Sequence, residues 1–144
     1  MAEPTIRKAT KEDYEAVIGL YDLFIQNLNY KKPGNDSYDA IIKESNAMLE
    51  VALVDGKIVG FISYSLRYVV RYPKPIIEVE EFFVLEEYQR MKIGKQLMNN
   101  ALEFAKNNDC KHIFLASGKK RVEAHEFYKD YGFEEYSFHY RLEL

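Results

Sequence analysis

The chain has 144 residues, of which 47% are hydrophobic and 30% charged, a balance typical of a globular protein in water. This length predicts a single domain spanning residues 1–144, and the net charge of −3 at pH 7 argues against a nucleic-acid or membrane-surface partner. The one cysteine cannot form an internal disulfide, and no apolar run has the length of a signal peptide core or a membrane span, so we expect a cytoplasmic protein.

The first predicted elements are a strand and an amphipathic helix. Thr5–Ala9 is typical of a short strand, and Thr10 followed by Asp13 has the spacing of a capping box at a helix start. Apolar side chains then recur every three or four residues, which predicts one buried helix face. Lys32–Asp36 is predicted to break this helix, and a second, shorter helix is predicted over Tyr38–Ser45.

An antiparallel meander is predicted in the middle of the chain. Leu49–Val54 and Lys57–Val70 are typical of strands, and the dipeptide Asp55-Gly56 between them favours a two-residue hairpin turn. A turn containing two prolines follows, and Ile76–Leu85 is predicted to be the third strand.

The remaining residues alternate between helix and strand. The patterns predict a helix over Lys92–Asn107, a strand over His112–Ala116, a helix over Arg121–Tyr131 and an alternating final strand over Phe133–Leu144. Together the elements predict an α/β fold: one mixed, twisted sheet with an antiparallel central meander and flanking helices.

The junction between the third meander strand and the helix that follows is the first candidate site. A helix start presents free backbone N–H groups, which favour an anion such as a pyrophosphate, and this junction adds cations beside them. A solvated cap explains the same pattern equally well. The residues concerned are Gln89, Arg90, Met91, Lys92, Ile93, Gly94, Lys95 and Gln96.

Two further segments give the junction a context. Glu78–Val84 is an acid-bearing strand before the loop, and Arg121–Phe133 contains the pattern Ala-x-x-Phe-Tyr-x-x-x-Gly-Phe. In this order the segments resemble the GNAT superfamily of acetyl-CoA-dependent N-acetyltransferases, whose loop reads Gln/Arg-x-x-Gly-x-Gly/Ala. The resemblance covers the whole chain. It implies a GNAT-like fold and an acyltransferase that uses acetyl-CoA as acetyl donor.

The resemblance also implies the residues that bind acetyl-CoA. Lys92 stands where the family usually has its inner glycine, and a lysine serves there if its φ is negative and its side chain turns outward. Arg121 replaces an asparagine common in the family, and its guanidinium could reach a CoA phosphate. The implied set is Phe82, Phe83 and Val84 at the strand end, the eight loop residues Gln89–Gln96, Arg121 and Tyr128.

Acetyl transfer needs a base for the protonated amine and an acid for the leaving thiolate. The resemblance places the base on the acid-bearing strand, with Glu78 at the matching position and Glu80 as its neighbour, and it gives Tyr128 the role of acid. Without a catalytic role, the two acids would form a solvated strand edge, and Tyr128 would be an ordinary tyrosine at the boundary of the core. Regular strand alternation puts Glu78, Glu80 and Phe82 on one face, and Val79, Glu81 and Phe83 on the other.

The acceptor is less well defined. A looser similarity to aminoalkylphosphonate N-acetyltransferases implies a small primary amine with an anionic group, which Arg67, Arg71 and Lys74 could bind, although they also fit ordinary exposed charges. The scattered histidines predict no metal site. Cys110 lies outside the motifs, so we expect direct attack in a ternary complex and no acetyl-cysteine intermediate.

Three alternatives stay open. In the first, the substrate is a protein N-terminus or a lysine side chain. In the second, the chain is a CoA-binding sensor without turnover, an alternative suggested by the atypical Lys92. In the third, the chain is an interaction domain whose aromatic residues Tyr136, Phe138 and Tyr140 form a dimer face.

Overall fold

The structure is a computed structural model that describes residues 3–24 and 35–144, without the side chains of Phe24 and Asn35. The chain divides into two compact units, Met1–Phe114 and Leu115–Leu144. In chain order the elements are β1 (Thr5–Lys8), α1 (Tyr14–Phe24), α2 (Asn35–Lys43), β2 (Ala47–Val54), β3 (Lys57–Arg67), β4 (Ile76–Val84), α3 (Ile93–Asn107), β5 (Ile113–Leu115) and α4 (Val122–Tyr131). None of the described helices is both long and apolar enough to cross a membrane.

The predicted helix start at Thr10 is confirmed. The Thr10 backbone N–H donates to Asp13 Oδ2 at 2.8 Å, which is the reciprocal half of a capping box. Arg7 on β1 binds both oxygens of the same carboxylate, at 2.6 and 3.0 Å, and this hydrogen-bonded cation holds the pKa of Asp13 at about 2. β1 is thereby tied to the start of α1. The predicted continuation of α1 past Phe24, and most of the predicted break at Lys32–Asp36, lie outside the described residues.

The sheet has the strand order β1-β2-β3-β4-β5, with antiparallel pairing from β1 to β4. The predicted meander is therefore confirmed, although β3 ends at Arg67 rather than Val70. Asp55 and Gly56 form the predicted hairpin turn with φ of +50° and +79°. Positive φ at both positions matches the twist of the flanking strands.

The two faces of the sheet are covered by different helices. On one face α1 and α2 enclose a core that includes Val17, Tyr38 and Phe61. On the other face α3 buries Ile93, Leu97, Met98, Ala101 and Ala105, and its Phe104 ring lies edge-on to the Tyr64 ring at 5.5 Å. Phe61 and Tyr64 are three positions apart on β3, and an odd offset places two side chains on opposite faces of a strand.

Gly60 lies where β3 and β4 approach closely. A Cβ at this position would stand 2.9 Å from the Phe83 carbonyl oxygen and 3.1 Å from Val84 Cγ2. We expect Gly60→Ala to lower the free energy of unfolding by about 1–3 kcal/mol, because a backbone atom has to move. Gly19, on exposed α1 surface with open space around it, is the matched control, and Gly19→Ala should raise stability by about 1 kcal/mol. Urea denaturation of both variants measures the difference; equal effects would contradict the clash.

The second unit contains α4 and the residues after it. α4 ends at Tyr131, and the next residue is Gly132, whose φ of +124° favours glycine. The Phe133 ring packs on the Tyr128 ring, with the ring centres 5.9 Å apart. The predicted strand over Phe133–Leu144 is wrong: these residues have no regular secondary structure and are exposed from Glu134 onward. Alternation shows that a segment can form a strand, but a strand also needs a partner for its backbone.

Candidate active site

The strand β4 contains an irregularity at its acidic centre. Ser63 of β3 pairs with Glu81, but the next β3 residue, Tyr64, pairs with Val79, so Glu80 is an extra residue on β4. Such a bulge interrupts the alternation of side chains and changes where the following residues point.

The predicted assignment of faces on β4 is therefore wrong. Ser63 and Ser65 lie on the same face of β3, and their partners are Glu81 and Glu78, so these two acids share a face. Phe82 pairs with Ile62 and lies on the opposite face of the sheet from Glu78. Regular alternation had predicted that Phe82 and Glu78 share one face. The bulge thus brings Glu81, which the sequence did not favour, to the face covered by α1 and α2.

Glu81 lies in a cleft of about 260 Å³ between that face and the two helices. Burial raises the pKa of the Glu81 carboxyl. A hydrogen bond from the Tyr21 side chain lowers it, and the nearby charge of Glu80 raises it further. A carboxylate with a raised pKa inside a cleft is the type of group that accepts a proton near neutral pH.

The two acids predicted as bases have other partners. Glu78 Oε1 lies 3.3 Å from Arg67 Nη1, so its charge is compensated by a cation. Glu80 is exposed, and its Oε1 accepts a hydrogen bond from Ser65 Oγ at 2.6 Å. Neither residue lines the cleft that contains Glu81.

The loop after β4 leads directly into α3. Gln89 Nε2 donates to the Val84 carbonyl oxygen at 3.0 Å, which ties the loop back to the strand. In α3 the Gln96 N–H is bonded to the Lys92 carbonyl oxygen at 3.1 Å, so the N–H groups of residues 92–95 precede the helical ladder. Lys92 provides no side-chain cap for them. This geometry retains the anion-binding potential predicted for the junction.

The loop side chains differ in what they offer a ligand. Ile93 is fully buried under the sheet, so it contributes only its backbone. The exposed loop residues are Gln89, Arg90, Lys92 and Lys95, and the half-buried ones are Met91, Gly94 and Gln96. At the strand end Phe83 faces the α1 and α2 side, with its ring centre 6.4 Å from that of Phe61, and Val84 is buried.

Lys92 does not have the negative φ that we expected of a lysine at this position. Its φ is +61° and its ψ is 23°, in the left-handed region, instead of the negative φ that we expected. The position therefore has the conformational demand that glycine meets without cost.

A glycine at this position should stabilise the protein. We expect Lys92→Gly to raise the free energy of unfolding by about 1 kcal/mol, because a residue with a Cβ is disfavoured in the left-handed region. Lys92→Ala removes the same charge but keeps the Cβ, so it should bring no gain. Thermal and urea denaturation of the two variants separate the causes, and an equal gain in both would assign the effect to the charge.

Tyr128 lies in the second unit, on α4. Burial raises the pKa of its phenol, while the positive charge of Arg121 and a hydrogen bond from the Arg121 side chain lower it. Arg121 directly precedes α4 and is half-buried. The arrangement keeps the phenol protonated at neutral pH and places a cation against its oxygen, a pairing that the sequence patterns had not suggested.

The three cations considered for an anionic substrate each have a partner. Arg67 pairs with Glu78, as described, and the Arg71 guanidinium lies 4.9 Å from the centre of the Tyr72 ring. Lys74 Nζ lies 3.1 Å from Asp109 Oδ2. Across residues 3–24 and 35–144, no group of three or more His, Cys, Asp or Glu side chains is arranged to hold a metal ion.

Comparison with known proteins adds the family context. The sequence model of the acetyltransferase (GNAT) family matches residues 9–133. The aminoalkylphosphonate N-acetyltransferase of Salmonella typhimurium is 30% identical over 139 residues, which cover 96% of this chain and 90% of that protein.

Solved structures share the fold at lower identity. A structure described as a transcriptional regulator from Bacillus halodurans superimposes with a TM-score of 0.89 at 24% identity, covering 98% of this chain and 99% of that one. AAC(6')-Iy, in complex with the bisubstrate analogue CoA-S-monomethyl-acetylneamine, gives 0.81 at 22% identity, covering 99% of this chain and 100% of that one. The chain thus belongs to the acetyltransferase (GNAT) family, whose members use acetyl-CoA, and it is an acyltransferase.

Proposed function

We propose that the protein transfers the acetyl group of acetyl-CoA to a primary amine of a small molecule, by direct attack in a ternary complex. The observation that carries this proposal is the Glu81 carboxylate, half-buried in a cleft on the strand that leads into the loop and α3. In this proposal residues 1–144 form one N-acetyltransferase domain.

Glu81 accepts a proton from the ammonium form of the substrate, directly or through a water molecule. The free amine attacks the thioester carbonyl carbon, the carbon–sulfur bond breaks, and the thiolate of CoA takes a proton from Tyr128. The attacking nitrogen loses its second proton as it becomes the amide, and this proton restores the Tyr128 phenol. Glu81 thus replaces Glu78 and Glu80 as our first candidate for the base, since it lies in a cleft and they do not. Glu78 and Glu80 stay predictions that the same experiments test.

The acetyl-CoA phosphates bind at the backbone N–H groups of residues 92–95, assisted by the exposed cations Arg90, Lys92 and Lys95. Gln89 positions the loop through its bond to Val84. Phe82, Phe83 and Val84 flank the acetyl and pantetheine groups. Burial raises the pKa of the Cys110 thiol, and a protonated thiol is a poor nucleophile, which supports transfer without an acetyl-cysteine.

The test of this proposal combines acetyl-CoA binding with release of free thiol in the presence of primary amines and basic peptides. We expect saturable acetyl-CoA binding and thiol release with small amines. Binding without turnover for any acceptor would favour the sensor, turnover with peptides alone would favour a protein acetyltransferase, and no binding would contradict the proposed role of the loop.

We also propose a cytoplasmic homodimer formed by the last residues of the chain. The support is a stripe of exposed apolar side chains at alternate positions: Tyr136, Phe138, Tyr140, Leu142 and Leu144. Phe138, for example, is 82% exposed. In an antiparallel pair of two copies centred on Phe138, Tyr136 of each copy lies opposite Tyr140 of the other, and Glu135 lies opposite Arg141, so the centre of the pair matches in apolar surface and in charge.

The dimer has a direct test in light scattering. Phe138→Asp should shift the protein from dimer to monomer, because it places a charge at the centre of the apolar face. Ser137→Asp adds the same charge on the polar face and should leave the dimer intact. A monomeric wild-type protein, or an identical response of both variants, would contradict this interface.

A further inference from the structure

The cleft around Glu81 has walls that are almost entirely apolar. Aromatic rings and branched side chains from α1, α2, β2 and β3 surround it, and its other polar side-chain groups are the hydroxyls of two serines and two tyrosines. The lining residues are Val17, Ile18, Tyr21, Ser37, Tyr38, Ile41, Leu49, Phe61, Ser63 and Glu81.

The two tyrosines contribute ring surface more than hydroxyl groups. The Tyr38 hydroxyl donates to the Thr10 carbonyl oxygen at 2.7 Å, and its ring is fixed edge-on by Tyr14, with the ring centres 5.2 Å apart. The Tyr21 side chain is hydrogen-bonded to Glu81. With these hydroxyls directed to the protein, the rings form flat apolar walls suited to the carbon skeleton of a ligand.

The charge of the cleft favours a cation and disfavours an anion. Glu81 provides the carboxyl group among the described lining residues, which include no arginine or lysine. Arg67, Arg71 and Lys74 are engaged with Glu78, the Tyr72 ring and Asp109, as described above. Among residues 3–24 and 35–144, an anionic group in this cleft would lose its hydration without gaining a cation and would face the Glu81 carboxyl group.

We propose that the cleft binds a small primary amine whose body is aromatic or branched alkyl and carries no anionic group. This inference rests on the proposed acetyltransferase function. The ammonium group binds Glu81 and the apolar body packs between the rings of Tyr21, Tyr38 and Phe61. The volume of about 260 Å³ is slightly below the usual range for small-molecule sites, so the body is about the size of one ring. The acceptor class therefore differs from that in the name of the Salmonella relative.

The test compares two amines that share an aminoethyl group and differ in the other end, 2-phenylethylamine and 2-aminoethylphosphonate. We expect kcat/KM to be at least about 100-fold higher for 2-phenylethylamine, and calorimetry to give the same preference in binding. Preferred binding of 2-aminoethylphosphonate would overturn the inference. If neither amine is acetylated, that result contradicts the proposed function, and the binding preference measured by calorimetry still tests the inference about the cleft.

A pair of variants tests the cleft itself. Ser37 is an exposed residue of α2 that lines the cleft, whereas Ala40 is exposed on the same helix outside it. Ser37→Arg adds a cation at the cleft and should raise kcat/KM for 2-aminoethylphosphonate by about 10-fold while lowering it for 2-phenylethylamine. Ala40→Arg should change both values by less than about twofold. Equal effects of the two variants would overturn the assignment of this cleft to the acceptor.

Discussion

Replacing Glu81 by glutamine should lower kcat/KM for the amine by at least about 100-fold at neutral pH, since removal of a general base has an effect of this order. Glutamine keeps the shape of the side chain and an oxygen that accepts the hydrogen bond from Tyr21. Acetyl-CoA binding should be unchanged. Initial rates of thiol release, together with acetyl-CoA titration, measure both expectations.

The dependence on pH identifies the base among neighbouring acids. Because the pKa of Glu81 is raised above its ordinary value of 4.5, the rising limb of kcat/KM should lie at a higher pH than for an unperturbed carboxylate. Glu81→Gln should remove this limb. The same profile for Glu78→Gln and Glu80→Gln tests the acids predicted from the sequence, and loss of the limb in either of them, with Glu81→Gln active, would refute our assignment.

The stability of Glu81→Gln provides an independent check. A carboxyl whose pKa is raised by folding contributes stability that is fully present below its ordinary value of 4.5 and is lost as the pH rises through the folded value. At neutral pH the glutamine variant should therefore be at least as stable as the wild type in urea denaturation. A marked loss of stability would mean that the fall in activity reflects a damaged fold.

Replacing Tyr128 by phenylalanine has the second largest expected effect. We expect kcat to fall by at least about 10-fold, with the KM for acetyl-CoA within about twofold of the wild type, because the phenol acts on the leaving thiolate after binding. The ring stays in place, so its contacts with Phe127 and Phe133 are retained. Steady-state kinetics with acetyl-CoA as the varied substrate measures the separation of kcat from KM.

Tyr131→Phe is the matched control for this variant. Tyr131 lies on the same helix, and burial raises the pKa of its phenol as well, but it occupies an unspecified position of the motif that suggested the acid. Its kinetics should equal those of the wild type. An equal decline in both variants, or none in Tyr128→Phe, would remove Tyr128 from the mechanism.

Local sequence signals predicted most of the fold. The Asp55-Gly56 turn fixed the hairpin between β2 and β3, and the Thr10 and Asp13 spacing fixed the start of the first helix, because these features depend on neighbouring residues alone. The segment Phe133–Leu144 was assigned wrongly for the opposite reason. Whether a strand forms there depends on a partner strand for its backbone, and the alternation of side chains within the segment gives no information about such a partner.

The candidate site was predicted less completely because one residue changes the geometry of β4. Regular alternation does not anticipate the bulge at Glu80, and with it the orientation of Glu81. The apolar positions do not reveal it either, because Phe82 and Phe83 are adjacent and the odd-numbered Phe83 continues the alternation of Ile77 and Val79. Only the strand pairing shows that Phe82 shares the face of Val79.

The bulge at Glu80 has a consequence for mutational tolerance. Its side chain is exposed, so substitutions there leave the packing on both faces of the sheet intact. Deleting the residue has a different effect, because regular pairing would then move the side chains of one half of β4 to the opposite face of the sheet. Either Ile77 and Val79 would turn to the face covered by α1 and α2, or Glu81 and Phe83 would be forced under α3. We therefore expect the fold to tolerate substitutions at position 80 but not the deletion of this residue.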